Sequence, residues 1–280
     1  MSLTVLFEMT MKNNAIARFA VLLLLLSGYK FSYAQDLSQY EKREFKTADG
    51  NTLPYRLLFP ENYDKSKKYP LILFLHGAGE RGTDNEKQLV HGGKMFLEAQ
   101  NREKFPAIVI APQCPPESYW ASVKVDRDKR PMTFEFDYQR PSNWPLVAAY
   151  DLVKQVVGEE SVDKHRLYIM GLSMGGMGTF EQVYQHPKTF AAAAPICGGA
   201  DVQAYDKRVR KTPFWVFHGD ADSVVPVENS RRMVDKLKAL KVPVQYTEYP
   251  GVNHNSWDNA FAEPQLLPWL FSHSRRKVKL

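Results

Sequence analysis

The sequence predicts an α/β fold, a mostly parallel sheet of about eight strands covered by helices on both faces. Two observations carry this expectation. Short apolar runs alternate along the chain with stretches whose apolar residues recur every three or four positions, the order expected of strands joined by helical crossovers. Several of the runs, Tyr69 to Leu75 most clearly, are apolar without interruption, as strands buried on both faces are. At 280 residues one core suffices, since a chain of that size buries roughly three quarters of its unfolded surface.

Residues 1–34 are expected to stand outside that core. Lys12 and Arg18 precede the apolar run Phe19 to Leu26, and Ser32-Tyr33-Ala34 offers small residues at the two positions a signal peptidase reads. A secretory signal cleaved after Ala34 is therefore expected, with residues 35–280 as a single domain in the periplasm or outside the cell. The run is short for a bilayer span and no cysteine follows it directly to carry a lipid, so no stable membrane anchor is expected after cleavage.

Tyr40 to Thr47 and Leu53 to Phe59 alternate polar and apolar residues around Ala48-Asp49-Gly50-Asn51, an antiparallel hairpin at one sheet edge. The strand Tyr69 to Leu75 ends in His76-Gly77-Ala78-Gly79-Glu80-Arg81-Gly82. Asp84 is expected to open a helix through Leu89 and Phe96 to Ala99. Pro106 to Ala111 is the next buried strand, ending at Pro112-Gln113-Cys114. From Glu117 to Trp144 no period appears, and Trp120, Phe134, Phe136, Tyr138 and Trp144 are interleaved with charges. That pattern suits a folded excursion over a pocket, because long loops in compact domains are usually functional. Leu146, Ala149, Tyr150, Val153, Val156 and Val157 form a helical stripe behind Pro145, which Gly158 ends. A strand over Arg166 to Met170 then leads into Gly171-Leu172-Ser173-Met174-Gly175-Gly176 and a helix running to His186-Pro187. Ala191 to Ile196, Pro213 to His218 and Val244 to Tyr249 read as further strands. Helices are expected near Asp201 to Tyr205, from Val227 to Leu240, and from about Asn259 to Phe271.

The formal net charge of +6 falls to about +4 without residues 1–34, which hold three basic residues and one acidic one. Basic residues are dispersed except in the tail Ser274 to Lys279, which reads as a solvated end, so no nucleic-acid partner is expected. Cys114 and Cys197 follow different strands and are expected to be two unpaired, buried thiols. No histidine or cysteine spacing resembles a zinc site, and no Gly-rich phosphate loop with a lysine follows a strand. Neither a metal nor a cofactor is expected.

The chemistry centres on the G-x-S-x-G turn at 171–175. Between a strand and a helix, such a turn lifts a serine hydroxyl above the sheet edge and aims the N–H of the next residue at a developing oxyanion. Ser173 is the expected nucleophile and Met174 N–H one oxyanion donor. The turn after the strand ending at Leu75 should supply the other, assigned to Ala78 N–H. A serine needs a base oriented by a carboxylate. Asp222, in His218-Gly219-Asp220-Ala221-Asp222, and His254, in Gly251-Val252-Asn253-His254, each follow a strand and complete the order Ser, Asp, His. Asp220 is expected to stabilise its own turn by accepting N–H bonds one or two positions on. His76 and His218 are expected to shape loops locally.

The segments His76 to Gly82, Ala111-Pro112-Gln113-Cys114, Gly171 to Gly176, Pro195-Ile196-Cys197-Gly198-Gly199 and His254-Asn255-Ser256-Trp257 together resemble the phospholipase/carboxylesterase-type α/β-hydrolases. That group is often labelled predicted peptidases, and it is related to dienelactone hydrolase and to secreted feruloyl and polyhydroxybutyrate esterases. The resemblance spans nearly all of the chain after residue 34. It implies an α/β-hydrolase fold, a triad of Ser173, Asp222 and His254, and acyl-ester hydrolysis without a cofactor. The excursion at 117–144 departs from the pattern. The expected activity is that of an exported serine carboxylesterase acting on a small-molecule or carbohydrate-linked ester, with Trp120, Trp257, Glu80 and Gln113 at the substrate. A serine peptidase or amidase of the same fold is the alternative, and a non-catalytic binding protein the third reading.

Overall fold

The computed structural model describes residues 37–129 and 131–275, and the secretory signal expected at 1–34 lies outside them. Eight strands form one sheet in the order β1-β2-β4-β3-β7-β8-β9-β10. These are β1 (Glu41–Lys46), β2 (Thr52–Leu58), β3 (Tyr69–Leu75), β4 (Ile108–Pro112), β7 (Val162–Leu172), β8 (Ala192–Ile196), β9 (Phe214–Gly219) and β10 (Val244–Tyr249). From β4 across to β10 every neighbouring pair is parallel, while β1 and β2 pair antiparallel as the expected edge hairpin. Every residue of β3, β4, β8 and β9 is buried, which is why these runs read as continuously apolar.

Each face of the sheet carries its own core. On one side pack α2 (Trp144–Glu159), α3 (Met174–Gln185) and α4 (Glu228–Ala239), through residues such as Leu152, Phe180 and Leu237. The other side holds α5 (Trp257–Phe261) and α6 (Leu266–Ser272), with Leu89, Phe96, Ala260 and Leu270 in its core. The expected α/β fold is thus the observed one, and the helix boundaries depart from expectation in four places. No helix runs from Asp84 to Ala99: Gly92 takes a left-handed φ of 84° between 3-10 turns at Lys87–Leu89 and Gly93–Leu97, and only the short α1 (Ala99–Lys104) follows. Residues 201–205 form turns, and a 3-10 helix comes later, at Lys207–Lys211, where the Asp206 side chain caps it. Pro264 lies between α5 and α6, so the last helix is two. α2 runs through Gly158 to Glu159.

The excursion after β4 is folded, as expected, but it contains regular structure that its sequence hid. Val123–Asp126 (β5) and Thr133–Phe136 (β6) pair as a two-stranded antiparallel hairpin separate from the main sheet. Among the described residues no helix is long and apolar enough to cross a membrane. Both thiols are buried and unpaired.

Candidate active site

The chain leaves β3, β4, β7, β9 and β10 at the same end of the parallel sheet, where ligands bind in open α/β sheets. Ser173 sits between β7 and α3 with φ 53° and ψ −116°, a region that side chains rarely adopt. The flanking glycines make this possible: a Cβ on Gly175 would run into the Leu75 carbonyl, and one on Gly171 into Gly175. Although Ser173 stands at the N-cap of α3, its side chain makes no capping bond. Its Oγ lies 3.0 Å from His254 Nε2, and His254 Nδ1 lies 2.7 Å from Asp222 Oδ2. The three residues named from the sequence therefore form one hydrogen-bonded line, with Ser173 and Asp222 buried and the His254 side chain 18% exposed.

Asp222 is held from both ends. Its Oδ1 accepts the N–H groups of Val224 and Val225, each at 2.8 Å. Its Oδ2 faces His218 Nε2 at 3.1 Å as well as His254. Burial by itself would push the carboxyl up, but the hydrogen bonds from His218 and His254 outweigh it and hold Asp222 well below the usual carboxylate range. His218 is thus no mere loop-shaping residue. It is wholly buried, and its Nδ1 meets Ser230 Oγ at 2.7 Å, so α4 fixes the ring that touches the acid. Asp220 also differs from expectation: it is Asp222 that accepts N–H bonds from just beyond itself, two and three positions on, whereas Asp220 Oδ1 accepts Gly251 N–H at 2.6 Å and so ties the β9 loop to the loop that carries His254.

Ala78 begins a short 3-10 turn, Ala78–Glu80, directly beyond β3. His76 shapes this turn: its Nε2 accepts Cys114 N–H at 2.9 Å, which leaves Nδ1–H to donate to Gly77 O at 2.6 Å. Burial pushes His76 down to about 4, so the ring is neutral and can accept that bond at physiological pH. Arg81 donates through Nε to Ala78 O and through Nη1 to Pro116 O and Ser118 O, joining the turn to the start of the excursion. Met174 is the first residue of α3, and the first N–H groups of a helix lack intrahelical acceptors, so its N–H is available by position.

A cavity of about 260 Å³ opens over Ser173 and His254, with Ala78 and Glu80 in its lining. Tyr119, Val125, Met132 and Phe134 of the excursion, with Arg127 among them, form one wall, and Trp257 stands at another, its ring 5.2 Å from the His254 ring. Two of the four expected substrate contacts, Glu80 and Trp257, therefore line the cavity, and two do not. Trp120 is completely buried, with its ring edge-on to His76, because the excursion uses it as an anchor beneath the wall. Gln113 is likewise buried, and its amide is spent on Asn85 N–H, Glu80 O and Asp84 Oδ1.

Cys197, Asp222 and His254 place one ligand-type atom each within 4.8 Å of one another. That trio is a poor metal site, since burial pushes the Cys197 thiol up and keeps it protonated, while the imidazole and carboxylate bond each other. The line of Ser173, His254 and Asp222 instead has the arrangement of nucleophile, base and orienting acid seen in acyl-transfer enzymes.

Comparison with known proteins places the chain among hydrolases. The sequence pattern of the dienelactone hydrolase family matches residues 117–265, just over half of the chain. Among solved structures the chain is similar to one described as a thermostable esterase, 39% identical with a TM-score of 0.76, over 85% of this chain and 64% of that one. It is similar to carboxylesterase SOBER1 of Arabidopsis thaliana, 29% identical over 66% of this chain and 82% of the relative. An uncharacterized secreted protein of Arthroderma benhamiae is 27% identical over 69% of this chain, which spans only 22% of that relative's length.

Proposed function

The chain belongs to the dienelactone hydrolase family, and from that membership we propose that it is an exported serine carboxylesterase working through an acyl-enzyme. Ser173 attacks the ester carbonyl as His254 Nε2 takes its proton. Asp222 holds the Nδ1–H tautomer and stabilises the imidazolium that forms, and the N–H groups of Met174 and Ala78 receive the oxyanion. Collapse of the tetrahedral intermediate expels the alcohol, which takes the proton from His254. Water, deprotonated by the same imidazole, then attacks the acyl group and frees Ser173.

The observation that carries the reading is His254 bridging Ser173 Oγ at 3.0 Å and Asp222 Oδ2 at 2.7 Å in the floor of an open cavity. The apolar wall of Val125, Met132 and Phe134 favours an aryl or short alkyl acyl group, and the Glu80 carboxylate beside it suits hydroxyl groups of a carbohydrate-linked alcohol. Export rests on the leader-like residues 1–34. A panel of p-nitrophenyl esters and of acetylated and aroylated sugars, run with wild type and Ser173→Ala, tests the proposal. Ester turnover that disappears in the alanine variant while the melting temperature holds is the expected result. Activity retained by that variant would remove Ser173 from the mechanism.

A further inference from the structure

One stripe of α3, the helix that begins beside Ser173, is given over to the excursion. Gly178, Glu181 and Gln185 follow one another at helical spacing on it, and each meets the segment 117–144. A Cβ on Gly178 would come within 2.7 Å of Trp120 Cβ and 2.8 Å of Trp120 O, so the main chain at Trp120 lies directly against the helix. Gln185 Nε2 donates to Ser142 Oγ at 3.3 Å. Between them Glu181 has no exposed surface at all.

Among the described residues the Glu181 carboxylate meets three hydrogen-bond donors and forms no ion pair. Its Oε2 accepts Ser122 N–H at 2.6 Å, and its Oε1 accepts the hydroxyls of Ser122 at 2.8 Å and Ser142 at 2.7 Å. Ser122 is the last residue before β5, and Ser142 lies where the chain returns to α2. A single side chain of the nucleophile helix thus grips the excursion both where it leaves and where it comes back. Everything between those two points is the hairpin whose Val125, Met132 and Phe134 line the cavity over Ser173. An apolar residue at 181 could pack against the excursion, but it could not hold two serines at once. A buried carboxylate with only polar partners is a costly choice for packing alone.

We propose that Glu181 is a positioning residue for acyl selectivity: by fastening both feet of the β5–β6 hairpin to α3, it fixes the apolar wall at a set distance from Ser173. The proposal rests on the esterase reading of the site. A large aryl acyl group must lie against the wall, whereas an acetyl group is too short to depend on it. Releasing the hairpin therefore lowers turnover of the first and spares the second.

The test compares wild type with Glu181→Ala, Ser142→Ala and Glu181→Gln by two measurements. One is kcat/KM on p-nitrophenyl benzoate and p-nitrophenyl acetate, and the other is hydrogen exchange of the amides at 123–126 and 133–136. Glu181→Ala is expected to speed exchange and to lower the benzoate-to-acetate ratio by about tenfold, the scale on which loss of modest pocket contact is felt. Ser142→Ala, which frees only the return foot, moves both readouts the same way by less, and it decides the matter if Glu181→Ala does not fold. Glu181→Gln retains most of the wild-type ratio, because its oxygen still accepts Ser122 N–H and the serine hydroxyls can turn to accept from its amide. Unchanged exchange in the Ser142 and Glu181 alanine variants would overturn the proposal, as would faster exchange with an unchanged ratio. Wild type inactive on both esters would overturn the esterase reading instead, and exchange would still decide whether Glu181 holds the hairpin.

Discussion

Asp220 and Asp222 stand two residues apart, and exchanging each for asparagine separates the acid of the site from a loop tie. In Asp222→Asn the side-chain oxygen remains with Val224 N–H and Val225 N–H, since two backbone donors need an acceptor there. The new amide nitrogen must then face His254 Nδ1, now 2.7 Å from the carboxylate, and His218 Nε2. An N–H pointing at Nδ1 favours the tautomer with its proton on Nε2, which cannot take the proton of Ser173. The equivalent change in a serine protease costs about 10⁴ in kcat, or about 5.5 kcal/mol of transition-state stabilisation, and a loss of the same order is expected here. Asp220→Asn keeps an oxygen for Gly251 N–H and leaves the line of Ser173, His254 and Asp222 intact, so its effect on rate should stay below about tenfold. Steady-state kcat/KM on an activated ester and thermal melting of both variants make the comparison. Collapse of activity in the Asp220 variant, with the Asp222 variant near normal, would refute the assignment.

Removing the second ring on Asp222 by His218→Leu should lower kcat by about 10- to 100-fold with KM little changed, the worth of one hydrogen bond to a charged group, while His218→Gln, able to donate from a similar place, should recover much of it. The depressed Asp222 carboxyl contributes stability that is complete above its unfolded value near 3.8 and fades only as pH falls toward its lower folded value, so melting should reveal no Asp222-linked loss from pH 8 to 5. Glu181 has the opposite sign: burial raises its carboxyl above the ordinary glutamate value of about 4.5, so the stability linked to it falls as pH rises from there. Glu181→Gln should therefore gain melting temperature relative to wild type at pH 7 compared with pH 4, and a difference independent of pH would contradict this.

The parts of the site legible in the sequence were those that local rules determine. A serine between glycines at a strand-to-helix turn has few structural alternatives, because a Cβ at Gly171 or Gly175 would strike backbone. Asp222 and His254 were readable because one follows the buried β9 and the other the partly exposed β10, and parallel strands deliver their ends to one place. What failed was any judgement that needed to know which side of a loop faces the core. Trp120 and Trp257 both come shortly after strands, yet one anchors the excursion beneath the wall and the other, at the start of α5, lines the cavity. Glu181 reads as an ordinary polar helix residue, because its partners Ser122 and Ser142 lie 59 and 39 positions away and carry no pattern of their own. His218 does meet its own loop locally, at Asp222 and Val225 O, as expected, but its bond to Ser230 on α4 appears only in three dimensions. The helix expected from Asp84 to Ala99 failed because an apolar period persists through Gly92, whose left-handed backbone breaks it.

The central claim is that Ser173 forms the covalent bond to the acyl group. Rapid acid quenching of the enzyme during turnover of a slowly deacylating aryl ester, followed by peptide mass analysis, tests it directly. The account predicts an acyl adduct on the peptide containing Ser173, absent from Ser173→Ala and accumulating far more slowly in Asp222→Asn. An adduct on any other residue that persists in Ser173→Ala, or full turnover without an adduct in an enzyme shown to release alcohol in a burst, would contradict it.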